Sequence, residues 1–223
     1  MTIQPPAPQI PEKLASSPLE PHGERRRRQL VRAAAHIVEF EGLHALRMPR
    51  VAELAGCTRT LVYRYFPSTD ELLIAVASEY YAALEERLDH KAQLRAVQRR
   101  RDGPRPSEDA FEATLTMLDC VFDVVTELGL AGLMLRGSSH LSEATRTYLT
   151  QRSESLSAHW IEPVRRTGLS PLHAALIAEA GIALLVDLVH RWQRDEISRD
   201  QAMALSRTCF VGLIRALQET PQR

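Results

Sequence analysis

The chain has 223 residues, 44% hydrophobic and 5% aromatic, enough for one large or two small domains of an ordinary soluble helical protein. Formal net charge is zero, yet residues 24–69 hold nine arginines against four glutamates, net +5, and the remainder carries the balancing −5, which fits a partner that is polyanionic at one end only; chance unevenness is the other reading. Cys57, Cys120 and Cys209 are too scattered for a metal site or a disulfide framework, the longest apolar run (181–186) is too short to span a bilayer, and the Pro-rich start has no signal-peptide pattern, so a cytoplasmic protein with free thiols and no membrane association is expected.

Six of the thirteen prolines fall within residues 1–23, where they can neither donate backbone bonds nor build a core, and a disordered arm is predicted. A first helix is predicted over 24–41, with Leu30, Ala33, Ala34, Ile37 and Val38 on its inner face and Gly42 as its stop. It begins Arg25-Arg26-Arg27-Arg28. Cations at a helix N-terminus oppose the macrodipole by roughly 0.3–1 kcal/mol each. Phosphate contact is a sufficient reason for that cost; a solvated charge run is the alternative for any one of them.

Residues 47–66, RMPRVAELAGCTRTLVYRYF, read as two short helices joined by a tight turn. Val51, Ala52 and Leu54 are apolar at helical spacing, and Gly56 supplies the left-handed backbone that ends a helix. Thr58 can then cap the second helix, in which Val62 and Phe66 share one face. Arg59, Thr60, Tyr63 and Arg64 are left pointing outward. A short helix with a packed inner face and a donor-rich outer face suits the DNA major groove.

The pattern Val51-Ala52, Ala55-Gly56-Cys57-Thr58 and Leu61-Val62-Tyr63-Arg64-Tyr65-Phe66, extended by Pro67-Ser68 and Glu71-Leu72, resembles the helix-turn-helix of the tetracycline-repressor (TetR) family. The resemblance covers roughly 24–84 and implies an all-α fold: an N-terminal three-helix DNA-binding domain there, then a helical ligand-binding and dimerisation domain over 85–223. Arg47 stands where the family usually has a capping Thr, Thr69 where it has Lys, and Thr60 where Gly is common. The DNA contacts expected are Arg25 and Arg26 from the first helix, then Arg47 and Arg50. From the second motif helix they are Thr58, Arg59, Thr60 and Leu61, with Tyr63, Arg64 and Tyr65 deeper along it.

A capping box, Ser68 with Glu71, starts a long fourth helix whose stripe is Leu72, Leu73, Val76, Tyr80, Leu84 and Leu88. Residues 91–106 are Arg-rich and end in a Pro/Gly loop. A fifth helix is expected over 107–128, with Glu112, Thr116, Asp119, Asp123 and Glu127 as a solvated face, then a short sixth over 130–135. A seventh starts at Ser142-Glu143 and is expected to end or kink at Pro163. Helix 8 runs 171–194 and is apolar nearly all round to Val189; helix 9 starts at Ser198, again a capping box with Gln201. Their small residues, Gly181 and Gly212 among them, allow close approach and suggest a dimer interface. The family resemblance implies the same use of helices 8 and 9.

No catalytic motif, phosphate-cradling loop or metal-ligand spacing is present, so no catalytic residue, metal or cofactor is expected. Resemblance to the family implies a small-molecule pocket in the body. Candidate lining residues by position and size are Phe111, Leu115, Phe122, Met134, Tyr148 and Trp160, with plain core as the alternative for each. Such a set favours a lipophilic effector. The function expected is a homodimeric repressor that binds a palindromic double-stranded operator and leaves it when the effector binds. An activator, a regulator without ligand, and a helical enzyme or interaction module with a basic end are the rivals.

Overall fold

The computed structural model describes residues 22–102, 106–135, 138–166 and 168–219; the predicted arm therefore lies, but for its last two residues, outside the described residues. Among these every regular element is helical: α1 His22–His36, a π-helical turn Ile37–Glu41, a 3-10 turn Leu43–Ala45, α2 Met48–Leu54, α3 Arg59–Tyr65 and α4 Thr69–Asp102. The body continues with α5 Pro106–Leu128, α6 Ala131–Met134, α7 Glu143–Arg165, α8 Pro171–Gln193 and α9 Arg199–Glu219. The all-α expectation therefore holds.

Helix starts follow the local chemistry. Thr58 accepts from the Leu61 N–H (3.3 Å), Ser68 from Glu71 (3.2 Å) and Ser170 from His173 (3.2 Å), each satisfying a donor that a first turn leaves open. At α9 the box is reciprocal: the Gln201 N–H donates to Ser198 Oγ (3.1 Å), and Gln201 Oε1 accepts from the Ser198 N–H (2.8 Å). Gly56 sits at φ +60 between α2 and α3, the backbone its position in the motif requires.

Four expectations are corrected. The first helix starts at His22 and is not α-helical to 41, because its last five residues widen into a π turn that buries Ile37 and Val38. Helix α7 passes through Pro163 to Arg165; a proline this near a C-terminus deprives only the last turn of a bond. The acidic stripe of α5 is not merely solvated. Asp119 pairs with Arg207 and Asp123 with Arg199 (2.8 Å) of α9, while Glu127 pairs with Arg87 of α4. Finally α8, counted as a helix rather than as a contiguous run, is long and apolar enough by length and composition to cross a bilayer. Here one side of it packs against α6, α7 and α9.

Helix α4 is the axis of the molecule, packing on α1 of the head and on α5, α6 and α7 of the body. One apolar cluster runs without interruption from Leu30, Val51 and Val62 in the head through Leu72 and Tyr80 to Phe122, Leu130 and Leu185 in the body. A smaller cluster joins Leu118, Val164 and Ile177 to Phe210 and Ile214. Thr145, fully buried, donates to Asp70 (3.1 Å) and so pins the start of α7 to the start of α4.

Candidate nucleic-acid interface and inner cavity

Helix α3 stands on two anchors. Val62 is wholly buried and Phe66, its C-cap, nearly so, which fixes the roll of the helix. That roll leaves Thr58, Arg59, Thr60, Tyr63 and Arg64 exposed, with Leu61 and Tyr65 half-buried. Tyr63 is 52% exposed, so its ring and hydroxyl are both available on that face. Arg64 lies over the Tyr65 ring (5.5 Å), which draws it to the flank of the helix. Arg59, one turn before Tyr63, shares its face.

The other expected DNA residues separate into two kinds. Arg47 is the exposed N-cap residue of α2, and its side chain makes no cap bond. Arg50 instead is engaged within the protein: it pairs with Glu41 (2.8 Å) and Glu53 (2.9 Å), locking the π turn to α2. That bond holds the Glu41 carboxyl below its ordinary pKa and raises that of Arg50. Arg26 donates to Gln29 (2.6 Å), whose amide in turn caps the Ala55 carbonyl at the end of α2 (3.0 Å). Arg27 lies over the Phe66 ring at 5.2 Å. Arg25 is half-buried, with an Nε that has no protein partner. Part of the arginine run thus braces the helix-turn-helix from behind, a role that charge alone does not reveal.

Inside the body lies a cavity of about 70 Å³ bounded by α4, α5, α6, α7, α8 and α9. Its wall is mainly apolar, with Tyr81, Met117, Val121, Leu133, Leu185 and Phe210 among the lining residues. A polar feature is the Tyr81 hydroxyl, 3.1 Å from Ser153 Oγ. Four of the six residues expected to line a pocket, Leu115, Phe122, Met134 and Tyr148, are not in this lining. Phe122 is wholly buried in the main core, Met134 and Tyr148 pack against that core, and Leu115 packs against the smaller cluster. The side chains of Phe111 and Trp160 lie outside the described residues. Val121 and Leu133, which do line it, each sit one residue from an expected one, Phe122 and Met134; much of the rest of the wall comes from α4, α8 and α9, which carry none of the expected residues. Which helix faces meet around the cavity is a matter of tertiary packing that no local sequence signal carries.

Among the described residues no three histidine, cysteine or acidic side chains converge as metal ligands. A second cavity, about 220 Å³, opens where α1 and the π turn meet α4, α5 and α6. It is bordered by Arg32, Glu39, Phe40, Glu79 and Tyr80. Burial there raises the pKa of Glu79, against the opposing pull of Arg32, Arg27 and Arg28.

Residues 30–76 match the family model described as bacterial regulatory proteins, tetR family. The chain is 27% identical over 188 residues to the HTH-type transcriptional activator FasR of Mycolicibacterium smegmatis, covering 81% of this chain and 78% of that protein. Among solved structures, a TetR-family regulator from a Rhodococcus species superposes with TM-score 0.60 at 23% identity, over 87% of this chain and all of the other. AibR in complex with isovaleryl coenzyme A and operator DNA also gives TM-score 0.60, at 16% identity, over 86% of this chain and 97% of the other. These two share the fold.

Proposed function

We propose that the chain is a transcriptional regulator of the TetR family rather than an enzyme, that it binds a near-palindromic operator as a homodimer, and that it is released when an apolar small molecule enters the inner cavity; the family model over residues 30–76 and the 27% identical relative support the first part. What carries the DNA half of this reading is α3: a seven-residue helix rolled by Val62 and Phe66 so that Arg59, Thr60 and Tyr63 face outward. Arg59 can take guanine O6 and N7 with its fork, Thr60 can bond to several bases, Leu61 can touch a thymine methyl, and Tyr63 can donate to a phosphate. Arg25 and Arg47 reach phosphates at either side. Arg26 and Arg50 serve the same surface mainly by holding it in shape.

Dimerisation is supported by the outer faces of α8 and α9. Leu172 and Leu176 on α8 and Leu205 on α9 are 67%, 49% and 45% exposed. On α9 they continue into exposed Cys209 and Gly212, an apolar, small-residue face of the kind a second copy covers. Two such heads, related by a two-fold axis, present their α3 helices to half-sites one turn of DNA or a multiple apart. The 24–84 head and 85–223 body then divide the work, with α4 crossing between them.

The mainly apolar cavity wall, with the Tyr81–Ser153 hydroxyl pair as a polar contact, supports a largely lipophilic ligand. Repression is the reading adopted for the sign of regulation. Activation is the second, favoured by the relative FasR, which is named an activator. Selection of sites from a random DNA library, followed by transcription in vitro from a promoter carrying the selected site, decides both points. A shared palindromic consensus and reduced transcript are expected. No consensus ends the DNA-binding reading, and increased transcript replaces repressor by activator.

A further inference from the structure

We propose that Glu39 is the coupling residue between the inner cavity and the DNA-binding head, an inference that rests on that cavity being the ligand site. Its carboxylate spans three elements. It rises from the π turn that closes α1. Oε2 accepts from the backbone N–H of Leu130, at the start of α6, at 3.0 Å. Oε1 accepts from Nε2 of Gln193, the last residue of α8, at 2.6 Å. One side chain of the head thus holds the start of one body helix and the end of another, 91 and 154 residues away in sequence.

The body is shaped to receive it. Gly129 has φ +80, and a Cβ there would stand 2.3 Å from Glu39 Oε2. The site therefore needs glycine both for its backbone and for the approach of the carboxylate. Both tethered helices also line the inner cavity, α6 through Leu133 and α8 through Leu185. Helix α6 has little freedom to absorb a push: a Cβ on Gly132 would be 2.4 Å from Tyr80 Cβ. Tyr80 itself borders both the inner cavity and the junction cavity beside Glu39. A side chain displaced in the cavity wall therefore shifts α6 or α8, and the strap hands that shift to the end of α1.

A four-member cycle tests this without an identified ligand, using Val121→Phe on α5 to fill the cavity in place of one. The members are wild type, Val121→Phe, Glu39→Ala and the double variant, each titrated with the DNA fragment selected by the wild-type protein. Filling the cavity should lower DNA affinity about tenfold when Glu39 is present. In the Glu39→Ala background the same filling should change affinity by less than about twofold, the limit of simple additivity. A purely structural role for Glu39 lowers affinity alike with the cavity empty or filled, so it leaves the ratio untouched. Equal losses in both backgrounds, or none in either, overturn the coupling role. Failure of every member to select DNA overturns the regulator reading itself. Should Glu39→Ala not fold, Gln193→Ala removes only the α8 half of the strap and goes through the same cycle, with a partial loss of coupling expected and none overturning it.

Discussion

Val62 is wholly buried and Tyr63, the next residue, is 52% exposed, so one step along α3 crosses from the core to the face offered to DNA. Arg59 shares that outer face. Arg59→Ala should cost ~1–3 kcal/mol on the selected operator and relax preference at one position per half-site, whereas Tyr63→Phe should weaken selected and random DNA alike. Site selection repeated with Arg59→Ala checks this; an unchanged consensus assigns Arg59 to phosphate. Glu79 makes a prediction of a different kind. Burial raises its pKa, so the folded state holds its proton more tightly than the unfolded chain does. The contribution of Glu79 to stability is then greatest below the unfolded value of about 4.3 and falls as pH rises through the raised folded value. Glu79→Gln should flatten that part of the profile, read by denaturant unfolding at a series of pH values; a profile identical to wild type would assign the slope elsewhere.

Two glycines show how an element's neighbours decide what its small residues are for. Gly181 of α8 is buried against Phe210 of α9, and a Cβ there would lie 2.4 Å from the ring. Gly212 of α9 has nothing within 4 Å of a built Cβ. Both belong to the one list of small residues that the sequence offers for helix approach, yet only the first is used within a subunit. Gly181→Ala should therefore destabilise the subunit itself by ~1–3 kcal/mol through overpacking. Gly212→Leu should leave thermal unfolding of the isolated subunit nearly unchanged and weaken the dimer by ~1–3 kcal/mol, measured by sedimentation. An unaltered dissociation constant would remove α9 from the interface.

Over the whole molecule, the basic head and acidic body behave as a polarised charge distribution. Binding should depend steeply on salt, because each phosphate neutralised releases counterions. Replacing Arg25 and Arg47 by Ala removes about four phosphate contacts per dimer and should flatten the slope of log affinity against log salt by ~3–4, with little change in discrimination between selected and random DNA. Replacing Arg26 and Arg50 should behave differently: those side chains brace Gln29, Glu41 and Glu53. Their loss should lower the stability of the head before it changes the salt slope. A flattened slope with unchanged stability would move them into the phosphate-contacting set.

The amino-acid sequence by itself determined where the capped helices begin and which residues pack the helix-turn-helix. Thr58, Ser68, Ser170 and Ser198 cap their helices through bonds that reach only three residues along the chain, and Val62 and Phe66 are buried by a period that repeats within one turn. Tertiary structure alone decided the rest. The acidic stripe on α5 looks solvated until α9 brings Arg199 and Arg207 to it. The cavity takes much of its wall from α4, α8 and α9, through Tyr81, Leu185 and Phe210, because which helix faces meet is set by partners far away in sequence. The strap from Glu39 to Leu130 and Gln193 joins residues 91 and 154 positions apart, and no local spacing encodes such a meeting. Short-range hydrogen bonds and helical period are written in neighbouring residues; which faces finally touch depends on how the whole set of helices shares one core.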